Sequence, residues 1–498
     1  MKAKKLLTVL LTALLVLAIL PMNILAAQTT VVAGSTASIT VEYALKNDEL
    51  AAYKVVDITY NAGNNTLSYA FNSDFADFFA GTTSYNATAY TVKDFAALTS
   101  DSADLKALLA KLPNYIKART ISPVDTQTVA ANGTATFANL AMGEYFIRPT
   151  STTSVYQLML QKIEPTVDNG TYVIDDVTFT AKHTEVSVTK VADKTSVTKK
   201  EKVTYTVTVD VPTYSTNAID KTFSVADKLP DGLTIDTDSI KVQIDGADVD
   251  TAAYTLDKTA NATYTFKLSV NNAQYDANWA ANSAKQLVIT YTATLNDDRT
   301  TAVNDTETNT VTFDYSNYPY VENSHNQKKD TATVTTFAIK IDKFVKDNET
   351  SKLAGATFDL YRTATQAEID ASKAVDIPHT TIKGIKLEGD LVTDENGEAT
   401  FAKYEANGDK YDYYLVETQA PAGYNLLDNA VKVNFTDADV EATAGVYTVK
   451  VPNNSGIVLP ITGGMGTVIF TAVGILLMLG AVILFVISRK KAKAKSEE

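Results

Sequence analysis

The 498-residue chain carries 44 Lys and Arg against 58 Asp and Glu, a net charge of −14. So acidic a chain is a poor partner for nucleic acid or anionic lipid. It has no cysteine, which excludes disulfide staples and a thiol nucleophile of its own.

Residues 1–27 begin with Lys2, Lys4 and Lys5, continue as an apolar run and end on Ala26 and Ala27. This is the pattern of a secretory signal peptide, cut after Ala27 or one residue earlier. Residues 28–182 read as a first β-rich module, with strands near 36–43, 52–60 and 144–148 and one helical insertion at 93–112. Residues 183–326 form a second module, whose alternation is clear in Lys202-Val203-Thr204-Tyr205-Thr206-Val207-Thr208-Val209. Residues 327–454 form a third, followed by a spacer and the pentapeptide Leu459-Pro460-Ile461-Thr462-Gly463 at 455–463. The apolar segment 464–488 then precedes a basic tail, 489–498, with Arg489, Lys490, Lys491, Lys493 and Lys495. As a helix, residues 465–487 span roughly 34 Å, enough for a bilayer core, and the basic tail stays on the cytoplasmic side. With both ends removed, residues 28–462 hold 36 Lys and Arg against 56 Asp and Glu, a net charge of −20. Modules of 155, 144 and 128 residues built from short strands predict an all-β chain of three tandem Ig-like sandwiches.

The tail resembles the LPxTG cell-wall sorting signal of Gram-positive bacteria. That resemblance implies cleavage between Thr462 and Gly463 by a sortase, and transfer of the Thr462 carbonyl to an amine. The third module resembles a CnaB-type domain of Gram-positive pilins, through Leu353-Ala354-Gly355-Ala356-Thr357-Phe358-Asp359-Leu360-Tyr361 and the E-box-like Tyr414-Leu415-Val416-Glu417-Thr418-Gln419-Ala420-Pro421-Ala422-Gly423-Tyr424. The second resembles the CnaA-like middle domain of backbone pilins, through residues 223–233 and 308–317.

Such domains imply an internal Lys–Asn amide bond promoted by a nearby acid. Residues two apart in a strand share a face. Lys343 extends the face of Phe337, Ile339 and Ile341; Asn453 that of Tyr447, Val449 and Val451; Glu417 that of Tyr413 and Leu415. In the second module Lys190 follows Val186 and Val188, Asn309 precedes Val311 and Phe313, and Asp227 follows Phe223 and Val225. The expected sets are Lys190–Asn309 with Asp227, and Lys343–Asn453 with Glu417. Lys340 and Lys346 rival Lys343, and Asn454 rivals Asn453, all from the opposite face. In the first module Lys54 lies on an apolar face, but Arg148 or Pro149 stands where the acid belongs, so no internal bond is expected there.

A backbone pilin also needs an acceptor amine. Asp176-Val177-Thr178-Phe179-Thr180-Ala181-Lys182-His183 resembles the pilin-motif strand, with Thr-Ala in place of the usual Tyr-Pro. Alternation turns Val177, Phe179 and Ala181 inward and Lys182 outward. The three histidines, His183, His325 and His379, have no metal-ligand spacing, and no phosphate loop or serine elbow appears. No metal, cofactor or enzymatic activity on other molecules is expected. The acidic turns at 347–349 and 394–398 read as solvated loops, and Trp279 as core.

The reading is a wall-attached surface pilin, the major structural subunit of a covalent fimbria. Its expected partners are a sortase, further copies of itself, minor pilins, peptidoglycan and a host surface. The alternatives are a monomeric wall-anchored adhesin that binds host matrix, or a basal pilin.

Overall fold

The computed structural model describes residues 29–99, 102–296, 305–408, 410–441, 443–455 and 466–494. The described residues are all-β in character, with 47% strand and 16% helix. The signal-peptide residues and Leu459–Gly463 lie outside the described residues.

The first module is built on Glu49–Asn61, flanked by antiparallel Thr66–Phe71 and Gly143–Ser151, with Met159–Ile163 beyond. A second sheet orders Val177–Thr180, Thr36–Glu42 and Ala135–Ala141, the first pair parallel. Between the strands Thr66–Phe71 and Asp125–Thr128 the helical region departs from the expected single insertion. It comprises Ser73–Phe75, Ala76–Phe79, Val92–Ala96, Ala103–Leu109 and Leu112–Arg119. Caps explain the breaks. Asn72, Thr91 and Ser102 each accept a backbone N–H at a fresh helix start, and Pro113 stands in the first turn of the last helix. Phe75, Phe78, Phe79 and Phe95 tie these short pieces to the sheet side chain Phe71, which stacks on Phe79 at 3.9 Å.

In the second module one sheet orders Val188–Ala192, Lys202–Asp210, Gln286–Leu295, Leu233–Ile244 and Ala247–Asp248. The other brings Thr255–Asp257, Phe266–Val270, Phe223–Lys228, Asp305–Ser316 and His325–Val345 side by side. Their facing side chains fill a core that includes Trp279, fully buried, whose Nε1 donates to the Ala253 carbonyl at 2.7 Å.

His325–Val345 is a single 21-residue strand that serves two modules. Through Thr336 it pairs with Asp305–Ser316; from Phe337 onward it pairs with Glu398–Tyr404 and, in parallel, with Val446–Asn453. Its inward positions change parity at that point. Ala332, Val334 and Thr336 are buried before it, and Phe337, Ile339, Ile341 and Lys343 after it. The opposing sheet of the third module orders Val375–Asp376, Lys383–Val392, Thr357–Thr363, Tyr413–Gln419 and Val431–Val433.

Polar contacts reinforce both joints. The segment after Val188–Ala192 reaches the third module: Ser196 Oγ accepts from Ala406 N and Thr198 Oγ1 from Glu405 N, both at 3.2 Å, while Lys199 pairs with Glu388 at 2.6 Å. Between the first two modules, Asn317 and Asn326 donate to the Thr152 carbonyl at 2.8 and 2.9 Å, and the Tyr315 hydroxyl to the Thr153 carbonyl at 2.6 Å.

The helix Gly466–Ala494 contains the apolar span Thr471–Arg489, with mean hydropathy 2.6 and none of it buried against the rest of the chain. By length and composition it can cross a membrane.

The turn between Asp305–Ser316 and His325–Val345 is pinned by His325, whose ring meets Asp220 at 3.2 Å and Asp314 at 2.6 Å. Hydrogen bonds to Asp220 and Asp314 raise its pKa to about 9. A raised histidine pKa stabilises the fold fully below the unfolded value of about 6.5, and that contribution is lost as pH rises through about 9. His325→Gln is therefore expected to cost on the order of 1–3 kcal/mol at pH 6 and little at pH 10, read as the difference between wild-type and variant melting curves at the two pH values.

Candidate cross-linking and anchoring sites

Lys190 is carried by Val188–Ala192, where it pairs with Val207. Asp227 and Asn309 come from adjacent strands of the facing sheet, in which Asp227 pairs with Val311. All three are buried, the carboxylate and the amide completely. The Lys190 ammonium donates to Asp227 Oδ2. The Tyr291 hydroxyl lies between them: it is 2.8 Å from Lys190 Nζ, 2.9 Å from Asp227 Oδ1 and 2.7 Å from Asn309 Nδ2. The amine also faces the rings of Tyr205 and Tyr291, each with its centroid 5.1 Å away. Burial pushes the Lys190 pKa down and that of Asp227 up, and in both cases outweighs their mutual attraction. Both shifts move the pair toward a neutral amine and a neutral acid.

The third module arranges the same residue types differently. Lys343 and Asn453 stand on neighbouring parallel strands of one sheet, Lys343 opposite Val451 and Asn453 opposite Val345. Glu417 points at them from the facing sheet, where it pairs with Phe358. Its Oε1 is 2.8 Å from Lys343 Nζ and accepts from Asn453 Nδ2 at 3.3 Å; its Oε2 accepts from Leu427 N at 2.9 Å. The Lys343 contact is an ion pair by distance but lacks hydrogen-bond alignment. Burial again pushes the lysine pKa down. The rivals lie elsewhere: Lys340 pairs with Glu398 at 2.9 Å, and Lys346 and Asn454 are exposed.

Lys182 has the opposite environment. Its side chain is exposed, while the backbone is held on both sides, by Ala181 N to the Glu42 carbonyl at 2.8 Å and by Gln157 N to the Lys182 carbonyl at 2.9 Å. A cavity of about 570 Å³ opens beside it, lined by Phe95, Leu105, Met159, Phe179 and Tyr320. Lys54 of the first module is half-buried and pairs with Asp57 at 2.8 Å, while Arg148 lies over the rings of Tyr53 and Tyr318.

Residues 338–449 match the SpaA family, a prealbumin-like fold domain, and residues 451–493 match the LPXTG cell wall anchor motif. A fimbrial subunit type 1 of Actinomyces viscosus is 26% identical over 440 residues, covering 79% of this chain and 81% of the relative. The chain is a Gram-positive pilin subunit. Solved structures share the fold of this pilin. The T6 backbone pilin of Streptococcus pyogenes serotype M6 aligns with a TM-score of 0.56 at 20% identity, over 81% of this chain and 80% of that one. The full-length major pilin SpaD of Corynebacterium diphtheriae aligns with a TM-score of 0.53 at 18% identity, over 86% and 99%. The anchor motif followed by an apolar helix makes the pilin a cell-wall-anchored surface protein.

Sequence reasoning missed Tyr291. The available signal was its parity with Leu287, Ile289 and Ala293 on a strand facing the Lys190 site.

Glu417→Ala would leave the Lys343 amine buried without its acid. The expected loss is about 3–5 kcal/mol of stability in urea unfolding of the pilin, against less than about 1 kcal/mol for removal of the exposed Lys450–Glu349 pair.

Proposed function

We propose that this pilin is the major, shaft-forming subunit of its fimbria, joined head to tail by a sortase. The modules would be residues 28–182, 183–326 and 327–454, with the sheet of the middle module extending along the shared strand to Thr336. A sortase cysteine takes the Thr462 carbonyl as a thioester and releases the Gly463 amine. The Lys182 amine of the next subunit then attacks that thioester, and an amide joins the two chains. The terminal subunit passes to the peptide bridge of peptidoglycan. Minor pilins and a host surface complete the expected partners.

The observation that carries this reading is the division of labour among three lysines. Lys182 is exposed on a backbone held at both sides, whereas Lys190 and Lys343 are buried, each beside an acid and an asparagine. An amine that reacts with another molecule must be reachable. One that reacts within its own domain must be dry, because desolvation keeps it neutral and nucleophilic.

In the two internal sites the neutral lysine attacks the asparagine side-chain carbonyl and ammonia leaves. Asp227 and Glu417 act as the acids that hold and return protons. The resulting bonds, Lys190–Asn309 and Lys343–Asn453, close loops of more than 100 residues. By analogy with disulfides, each contributes on the order of 4–5 kcal/mol.

The intact mass of recombinant 28–462 is expected to fall short of the sequence mass by one ammonia per bond, two in all. An unmodified mass would remove both internal assignments. In the producing cell, Lys182→Ala is expected to abolish the high-mass ladder of wall extracts on denaturing gels. A ladder that survives the substitution would eliminate Lys182 as the acceptor.

A further inference from the structure

We propose that Tyr291 is a third catalytic group in closure of the Lys190–Asn309 bond, carrying a proton from the attacking amine to the leaving amide nitrogen. The inference rests on the internal-bond reading above.

The two acids differ in reach. In the third module a single oxygen of Glu417 contacts both reacting nitrogens, at 2.8 Å from Lys343 Nζ and 3.3 Å from Asn453 Nδ2. Aspartate is one methylene shorter. Asp227 bonds to Lys190 Nζ, but no hydrogen bond joins it to Asn309 among the described residues. Tyr291 Oη bridges that gap, 2.8 Å from Nζ and 2.7 Å from Nδ2. A phenol offers one hydrogen and two lone pairs, and here all three are used: it accepts from both nitrogens and donates to Asp227.

The oxygen is also firmly placed. Tyr291 pairs with Tyr205 across two central strands, their rings 5.5 Å apart, and Phe266 meets its ring edge-on at 5.1 Å. Both reactants therefore meet a hydroxyl whose position is set by packing before reaction begins.

The step balances as follows. Lys190 first yields its ammonium proton to Asp227. The neutral Nζ then attacks Asn309 Cγ, forming the Nζ–Cγ bond and a tetrahedral centre. In the planar amide Nδ2 can only donate, but at the tetrahedral centre it gains a lone pair. The Nδ2–H to Oη bond then reverses. Oη takes one proton from Nζ and gives its own to Nδ2. The carbonyl re-forms as the Cγ–Nδ2 bond breaks, Asp227 returns its proton to the departing ammonia, and the phenol is regenerated.

Tyr291→Phe keeps the ring packing and removes only the bridge. The test uses chain 28–462 made by cell-free synthesis as wild type, Tyr291→Phe and Asp227→Ala. The fraction of cross-linked Lys190–Asn309 peptide is followed by mass spectrometry over time, from pH 6 to 9. The Lys343–Asn453 peptide of the same molecules is the internal control. Tyr291→Phe is expected to slow closure on the order of 10²-fold, with a rate that rises with pH because hydroxide must then take the proton. The wild-type rate is expected to depend less on pH, and the third-module bond to be unaffected. Closure of Tyr291→Phe at the wild-type rate, or slowing with an unchanged pH profile, would overturn the catalytic role while leaving the bond itself intact. Absence of the cross-linked peptide from wild type would instead remove the underlying reading.

Discussion

The costliest feature of this fold is a lysine beside a carboxylic acid inside a dry β-sandwich, present once in the middle module and once in the third. Desolvating two such groups costs several kcal/mol each, and their attraction at best roughly offsets that cost. Well-packed apolar side chains would hold either sandwich together equally well. Stability alone therefore gives no reason to keep Lys190 with Asp227 or Lys343 with Glu417. The proposed reaction does, because the same desolvation that burdens the charged pair shifts each amine toward its neutral, nucleophilic form. On the proposed reaction the burden also ends, since a lysine and an asparagine become one neutral amide.

The two modules meet this requirement with different geometry. In the middle module the amine comes from one sheet, and the amide and acid from the other, so the proposed closure would stitch the sandwich through its core. In the third the amine and amide sit on adjacent parallel strands, and only the acid crosses the core. A parallel pair cannot be joined by a tight turn. First and last strands of the third module thus meet side by side with 100 residues between them. The longer acid belongs to the arrangement in which it must reach both nitrogens from across the sandwich. The shorter one is accompanied by a phenol.

Much of this was readable from alternation, because a period of two is a local property of the chain. Val186, Val188 and Lys190 share a face whatever lies opposite, and so do Ile339, Ile341 and Lys343. What alternation does not supply is which strands become neighbours. Nothing in the sequence therefore sets Tyr291 apart from Leu287, Ile289 and Ala293, although its hydroxyl lies beside Lys190, Asp227 and Asn309. The expected single helical insertion at 93–112 is instead several short pieces, begun afresh at the capping residues Asn72, Thr91 and Ser102. The sequence places the joint between the second and third modules at 326/327. The pairing partner changes ten residues later, inside an unbroken strand, where Thr335-Thr336-Phe337 hides a change of parity.

That change of parity lets one strand belong to two cores. A strand that kept strict alternation would turn Ala332 and Val334 to one face and Ile339 and Lys343 to the opposite one. With the switch, Lys343 follows in the same strand that lies beside Asn309, and no flexible linker separates the two internal sites. On the proposed linkage the covalent line enters at Lys182, crosses to Asn309 through Lys190, follows His325–Val345 to Lys343, and leaves through Asn453 toward Thr462. Lys182 marks the end of the first module, so residues 29–181 hang upstream of that line and bear none of its tension. A module outside the load has no mechanical need of an internal bond. The placement of Arg148 against Tyr53 and Tyr318, where the other two modules carry an acid against a lysine, is consistent with a joint built for packing rather than for cross-linking.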